Sequence, residues 1–237
     1  MAQLIYGKNV INQFSLDDKK ISEIYISDNF KDIKLLDRIN KLKIKTVRVN
    51  KKRLDALCDN QHHQGIACYI DDYETYDIDD LLVSKLNFPL LVMLDGIQDP
   101  HNLGAILRTC DCVGVDGVII GKNRCCGLTP TVAKVSTGAI DTVKIAQVTN
   151  LSSTIEYLKK KGYWIIGADM NKSVQYDKQN YDMPVVLVIG SEGKGISNLV
   201  AKHCDLFVHL PMLGMISSLN ASVATAVILY EMLKVRK

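Results

Sequence analysis

Several things are scarce or missing in this 237-residue chain. No apolar run approaches the roughly 18 residues that a membrane-spanning helix needs. The first residues, Met1-Ala2-Gln3-Leu4-Ile5-Tyr6-Gly7-Lys8, lack a basic region followed by an apolar one, so no secretion signal is expected. The seven cysteines are odd in number and contain no C-x-x-C pair. A disulfide framework is therefore not expected, and a reducing cytoplasm is the expected home. Metal is not expected either. Cys58, His62, His63 and Cys68 cluster in sequence but include no C-x-x-C pair, and the close pairs Cys110/Cys112 and Cys125/Cys126 are poorly spaced for tetrahedral ligation. Gly190-Ser191-Glu192-Gly193-Lys194-Gly195 has its glycines at the first, fourth and sixth positions. That fails both G-x-G-x-x-G and G-x-x-x-x-G-K-[ST], which argues against a dinucleotide or triphosphate site. No G-x-S-x-G elbow is present for a Ser-His-Asp hydrolase.

What is present is ordinary globular composition, with 47% apolar and 23% charged residues, which excludes a disordered chain. The length suits one large domain or two small ones. The net charge of +3 is too mild to imply nucleic acid by itself. Its distribution says more. Residues 1–72 carry 13 basic and 10 acidic side chains, residues 73–87 carry 1 and 4, and residues 88–237 carry 15 and 12. Two blocks of +3 thus flank a bridge of −3.

The first block alternates helical and extended patterns. Helices are expected at Asn9–Phe14, Asp32–Asn40 and Lys51–Cys58, and strands at Ile21–Ser27, Ile44–Val49 and Gly65–Ile70. The acidic stretch from Asp71 to Asp80 reads as a linker entering a short helix near Leu81–Leu86. The second block reads as strands separated by helices, hence a parallel sheet. Its strands are expected at Leu90–Leu94, Gly117–Ile120, Val143–Ala146, Trp164–Ala168, Val185–Ile189 and Leu206–Leu210. Its helices are expected at Asn102–Val113, Thr131–Ser136, Leu151–Lys161, Ser197–His203 and Leu219–Lys234. The fold class is therefore α/β, with domains at 1–72 and 88–237 joined by the 73–87 linker.

Three polar segments each follow an expected strand, where open parallel sheets bind ligands. The first runs from Asp95 to Arg108. Asn102 can cap the helix, and Arg108, six residues on, lies within two turns of it. The second is the turn Gly190–Gly195, whose glycines allow close backbone approach. The third, Leu210–Ser222, leads into an apolar helix that Ser218 or Asn220 could cap. Singly, each reads as a cap or a tight turn.

Together and in this order they resemble the SpoU-type (SPOUT superfamily) RNA ribose 2'-O-methyltransferases. The signatures are Asn102-Leu103-Gly104-x-x-x-Arg108, Val188-Ile189-Gly190-Ser191-Glu192-Gly193-x-Gly195, and Leu210-Pro211-Met212 with Ser218-Leu219-Asn220-Ala221-Ser222. Leu4–Val10, His63–Ala67 and Lys134–Ala139 extend the likeness to one branch that carries an N-terminal RNA-binding domain similar to small ribosomal proteins. The nearest branch methylates guanosine in 23S ribosomal RNA; the same chemistry on transfer RNA or another ribosomal site, or a catalytically silent RNA-binding assembly protein, are the alternatives.

The resemblance implies S-adenosylmethionine as methyl donor, a deep trefoil knot at the cofactor site, and a homodimer with the active site at its interface, to which the Leu219–Lys234 helix is assigned. It implies Arg108, Asn102, Glu192, Ser218 and Asn220 as catalytic residues, and Ile189, Gly190, Gly195, Leu210, Met212, Ser218 and Leu219 as the cofactor site. Methyl transfer from a sulfonium needs alignment and removal of one proton, and no metal. Lowering an arginine by about 6 pKa units to make it a resting base costs roughly 8 kcal/mol. Arg108 is therefore expected to orient the target through its phosphate. His101, Arg124, Lys134 and the basic N-terminal block are candidate RNA contacts. That block has no aromatic stacking stripe, so recognition of shape and phosphate suits it better than base reading.

Overall fold

The computed structural model describes residues 3–8, 11, 21–41, 44–60, 62–170, 173–215 and 218–236. The chain forms two compact units, residues 1–73 and 74–237.

The first unit holds a four-stranded sheet of β1 (Gln3–Tyr6), β2 (Ile21–Ser27), β3 (Thr46–Val49) and β4 (Ile66–Ile70), in the order β1-β4-β2-β3. β4 pairs antiparallel with β1 and β2, and β2 pairs parallel with β3. Period-two alternation divides the side chains between two cores. Ile24, Ile26, Cys68 and Ile70 join Leu35 and Ile39 of α1 (Ile33–Lys41) on one side. Val49 and Ala67 meet Leu54 of α2 (Lys51–Leu57) on the other. Asn50 caps α2 by accepting from Arg53 N at 2.9 Å. The His63 ring is used up in this framework: Nε2 lies 2.8 Å from Asp55 Oδ1, and Nδ1 accepts from Gly65 N at 2.9 Å. The expected Asn9–Phe14 helix lies outside the described residues apart from Ile11, which is buried. Strand β1 has no counterpart among the expected strands.

The acidic segment expected as a linker packs on the second unit instead. Its carboxylates face water while Leu81 is fully buried against Leu91, Met93 and Ile119. Tyr76 N donates to Ile145 O at 2.9 Å, and Lys144 Nζ to Asp80 O at 2.6 Å. The helix in it is a 3-10 turn at Ile78–Leu82, started where Asp77 N donates to Asp80 Oδ2, and not a helix at 81–86.

The second unit is a seven-stranded parallel sheet of β5 (Leu90–Asp95), β6 (Gly117–Gly121), β7 (Ile145–Val148), β8 (Trp164–Ala168), β9 (Val174–Gln175), β10 (Val185–Gly190) and β11 (Leu206–His209). The order is β7-β6-β5-β10-β8-β11-β9. Leu90 to Leu94 and Val185 to Val188 are all fully buried, as expected of strands covered on both faces. One face carries α6 (Leu151–Lys160) and α7 (Asn198–Ala201); the other carries α3 (Pro100–Val113), α4 (Pro130–Ser136) and α8 (Ala221–Leu233). The strand at Val143–Ala146 begins later than expected. Val143 N closes the short helix α5 (Ala139–Thr142) by donating to Ala139 O, so β7 starts at Ile145. At the C-terminus the buried Arg236 donates to Met232 O and Met183 O, and burial brings its guanidinium down to about 10.

Two neighbours set the stage for a site. β5 and β10 are adjacent and parallel, with Asp95 opposite Gly190 at their carboxyl ends. From β5 the connections lead towards β6 and β7; from β10 they lead towards the other side of the sheet. That is the topological switch point where parallel sheets open a crevice.

Candidate active site

The β10 loop is the centre of this crevice. Ser191 N donates to Gly195 O at 3.1 Å and Gly195 N to Ser191 O at 2.8 Å, so the loop closes on itself. Gly190 lies under that closure. A Cβ there would sit 2.1 Å from the Gly195 carbonyl carbon and 2.2 Å from Ile196 N, both backbone atoms that cannot swing away. Gly195 itself has φ +64°, in the left-handed region. The loop thereby holds Glu192 out towards α3 and α8.

Helix α3 begins two residues earlier than the expected 102. Asp99 caps it by accepting from His101 N at 2.9 Å, with Pro100 in the first turn. Asn102 is therefore not the cap, and its buried amide is free for other partners. Asn220 is the cap of α8. Its Oδ1 accepts from Ser222 N at 2.9 Å and from Val223 N at 3.3 Å. Its Nδ2 points the other way and donates to Asn102 Oδ1 at 2.9 Å and to Glu192 Oε1. Asn102 Nδ2 donates to the same Glu192 oxygen at 2.8 Å. Three side chains from three distant segments thus form one closed triangle, with two amides clamping one carboxylate oxygen.

Two cavities meet at this triangle. One, of about 230 Å³, lies at the ends of β8, β10 and β11. All seven residues expected at the cofactor site line it: Ile189, Gly190, Gly195, Leu210, Met212, Ser218 and Leu219. Asp169 and His209 line it too, and were not among the expected residues. His209 Nδ1 is 2.8 Å from Ser173 Oγ. The only signal for either was its place at the carboxyl end of a parallel strand. The second cavity, of about 950 Å³, opens at the ends of β5 and β10 and is lined by Asp95 to Asp99, Asn102, Arg124 and Ser191 to Asn198. Ser191, Glu192 and Gly195 belong to both walls.

Arg108 does not join them. Six residues along a helix turn the side chain about 240° and advance it ~9 Å. Arg108 is accordingly exposed, lines neither cavity, and has no ion pair among the described residues. The Cys125 thiol, beside Arg124, is pushed up to about 12 by burial and so stays protonated rather than nucleophilic. The expected RNA contacts His101 and Arg124 are exposed, and Lys134 lies on α4.

This geometry has close counterparts. Residues 89–230 match the SpoU rRNA Methylase family, and residues 4–76 match the family described as RNA 2'-O ribose methyltransferase substrate binding. A Staphylococcus saprophyticus protein named for the TrmH family of tRNA/rRNA methyltransferases is 43% identical over 239 residues, covering 98% of this chain and 96% of its own. The SpoU methyltransferase AviRb from Streptomyces viridochromogenes, solved in complex with the cofactor AdoMet, superposes with a TM-score of 0.66 at 20% identity, over 98% of this chain and 90% of that one. A TrmH/SpoU tRNA modifying enzyme from A. aeolicus has a TM-score of 0.57 at 33% identity, over 62% of this chain and 74% of its own. The three signature loops, the crevice they enclose and the matches along nearly the whole chain lead to one conclusion: this chain belongs to the SpoU rRNA methylase family of RNA methyltransferases.

Proposed function

We propose that this protein transfers a methyl group from S-adenosylmethionine to the ribose 2'-hydroxyl of a guanosine in 23S ribosomal RNA. The observation that carries the reading is the Asn102–Glu192–Asn220 triangle standing between two cavities of different chemistry. The cavity at β10 and β11 suits the donor. Ile189, Leu210, Met212 and Leu219 offer an apolar wall for a planar ring, and the bare backbone at Gly190 lets the Gly195–Ile196 backbone close against it to form the loop that borders the cavity. When bound, the donor supplies an activated methyl on a sulfonium.

The protein's share is alignment. Asn220 is anchored twice, through its cap to α8 and through its amide to Glu192, so the triangle cannot rotate freely. A fixed triangle can hold the ribose hydroxyl in line with the methyl carbon, which is where most of the rate gain lies. Ser218, at the donor cavity, is the proposed partner of the hydroxyl and of the donor's polar end. Arg108 is proposed to orient the RNA through a phosphate. Because it lines neither cavity of its own chain, that role needs a second copy, and we propose a homodimer. Val223, Val227 and Tyr230 support it: they form an exposed apolar stripe on α8, which packs against α3. A trefoil knot is proposed for the stretch after β11, which leads back from that strand to α8 beside α3 and β10. A cytoplasmic setting is proposed from the cysteine content.

Residues 1–73 are proposed to deliver the RNA, as the substrate-binding match over 4–76 suggests. Transfer RNA is the second reading, favoured by the tRNA modifying enzyme among the similar structures. The deciding experiment is mapping of 2'-O-methyl positions in ribosomal and transfer RNA from cells with and without this protein. Loss of one guanosine mark in 23S RNA is expected. An unchanged ribosomal map with a lost transfer-RNA mark would replace the substrate, and no lost mark in either would remove the activity.

A further inference from the structure

The larger cavity is lined by charges of both signs, whereas no lysine or arginine lines the smaller one. Two of its carboxylates are tied to backbone: Asp95 Oδ2 accepts from Ser197 N at 2.7 Å, and Asp99 Oδ1 accepts from His101 N at 2.9 Å. Its two cations, Arg124 in the loop after β6 and Lys194 in the loop after β10, are both exposed. Neither forms an ion pair or a side-chain hydrogen bond among the described residues. The third carboxylate, Glu192, is held by the amides of Asn102 and Asn220. All three keep their charge, so it is not net charge but the two cations without such partners, Arg124 and Lys194, that offer a phosphate its direct partners. Arg124 has a second peculiarity. Its φ is +62°, a conformation that a residue with a side chain adopts only when its surroundings impose it. They do so here, because Cys126 N donates to Ile97 O at 2.8 Å and ties this loop to the one after β5. Its carbonyl faces Gly96 across the crevice, 3.9 Å from where a Cβ would stand.

Resting on the methyltransferase reading, we infer that this cavity receives the acceptor nucleotide, and that Arg124 and Lys194 grip a phosphodiester next to the ribose that is methylated. The shared wall of Ser191, Glu192 and Gly195 then puts the ribose on one side of Glu192 and the donor on the other. The guanidinium fork of Arg124 matches two phosphate oxygens, and Lys194 adds a point charge from the opposite loop. Such contacts set register and carry no sequence information, so Arg124 is a positioning residue.

The test uses full-length protein, S-adenosylmethionine and unmodified 23S ribosomal RNA made by transcription. Arg124→Gly removes the side chain and suits the positive φ, so folding is not at risk; Arg124→Lys keeps the charge. Expected for Arg124→Gly is wild-type melting and donor affinity by calorimetry, a KM for RNA raised about tenfold, kcat within about twofold, and a salt slope shallower by about 1. Arg124→Lys should recover part of the loss, and Lys194→Ala should shift KM in the same direction. A wild-type KM and salt slope in Arg124→Gly would overturn the inference, as would a fall in kcat at constant KM. Wild-type protein that binds no donor and methylates neither ribosomal nor transfer RNA would instead overturn the methyltransferase reading beneath it.

Discussion

The two cavities share one wall and differ in nearly everything else. The cavity proposed for the donor is small and mostly apolar, with Leu210, Met212 and Leu219 of the last loop in its wall. The cavity proposed for the acceptor is about four times larger and lined by polar and apolar surface alike, with Arg124 and Lys194 at its sides. A small ligand met in the same form at every turnover can be held by a fitted apolar pocket. A segment of a large polyanion is held better by a few charges at the edge of an open crevice. Glu192 stands between, and the amides of Asn102 and Asn220 fix it there. On the proposed reading, binding and alignment fall to separate residues, so they can be broken separately.

The largest effect should come from the element common to both cavities. Gly190→Ala drives a Cβ into the Gly195–Ile196 backbone, and the loop must open. We expect a stability loss of about 3 kcal/mol and no measurable donor binding, checked by thermal unfolding and calorimetry. Wild-type affinity would mean that the closed loop is not what builds the pocket. Next is the alignment itself. Asn220→Ala should leave donor and RNA affinities within about threefold while the single-turnover rate falls on the order of 10²-fold, together with a cap loss of about 1 kcal/mol. An unaltered rate would dissolve the proposed link between the cavities. The smallest effect should be confined to one side. Met212→Ala trims the apolar wall and should weaken donor binding about tenfold by lost burial, with the KM for RNA unmoved. A matching rise in that KM would show that the cavities are not independent.

Much of this was legible in the residues. The strands of the second unit, bar the two-residue β9, stand within two residues of where hydropathy places them, because a parallel strand buried on both faces is an unbroken apolar run. Asn102, Glu192 and Asn220 were named as one site from the order of three loops. Two short-range readings misled. Asn102 looked like a cap, but Asp99-Pro100 is the stronger start. Arg108 looked near enough to Asn102 to share its end of the helix, but the helical turn carries it to another face. The acidic bridge looked like a linker because its net charge concealed Tyr76, Ile78, Leu81 and Leu82, whose spacing lets them pack while the carboxylates face water.

By itself, then, the sequence determined which segments are strands and helices, where the backbone must be bare, and which polar residues follow each strand. These are local matters of side-chain volume, period and backbone freedom. Only the tertiary structure decided that β10 enters the sheet beside β5, and that residues 90 and 118 positions apart therefore meet in one hydrogen-bonded triangle. Strand order is set by which buried faces pack best over long range, and no local preference encodes it. The same packing left Arg124 and Lys194 lining one crevice with no ion-pair or side-chain hydrogen-bond partner among the described residues.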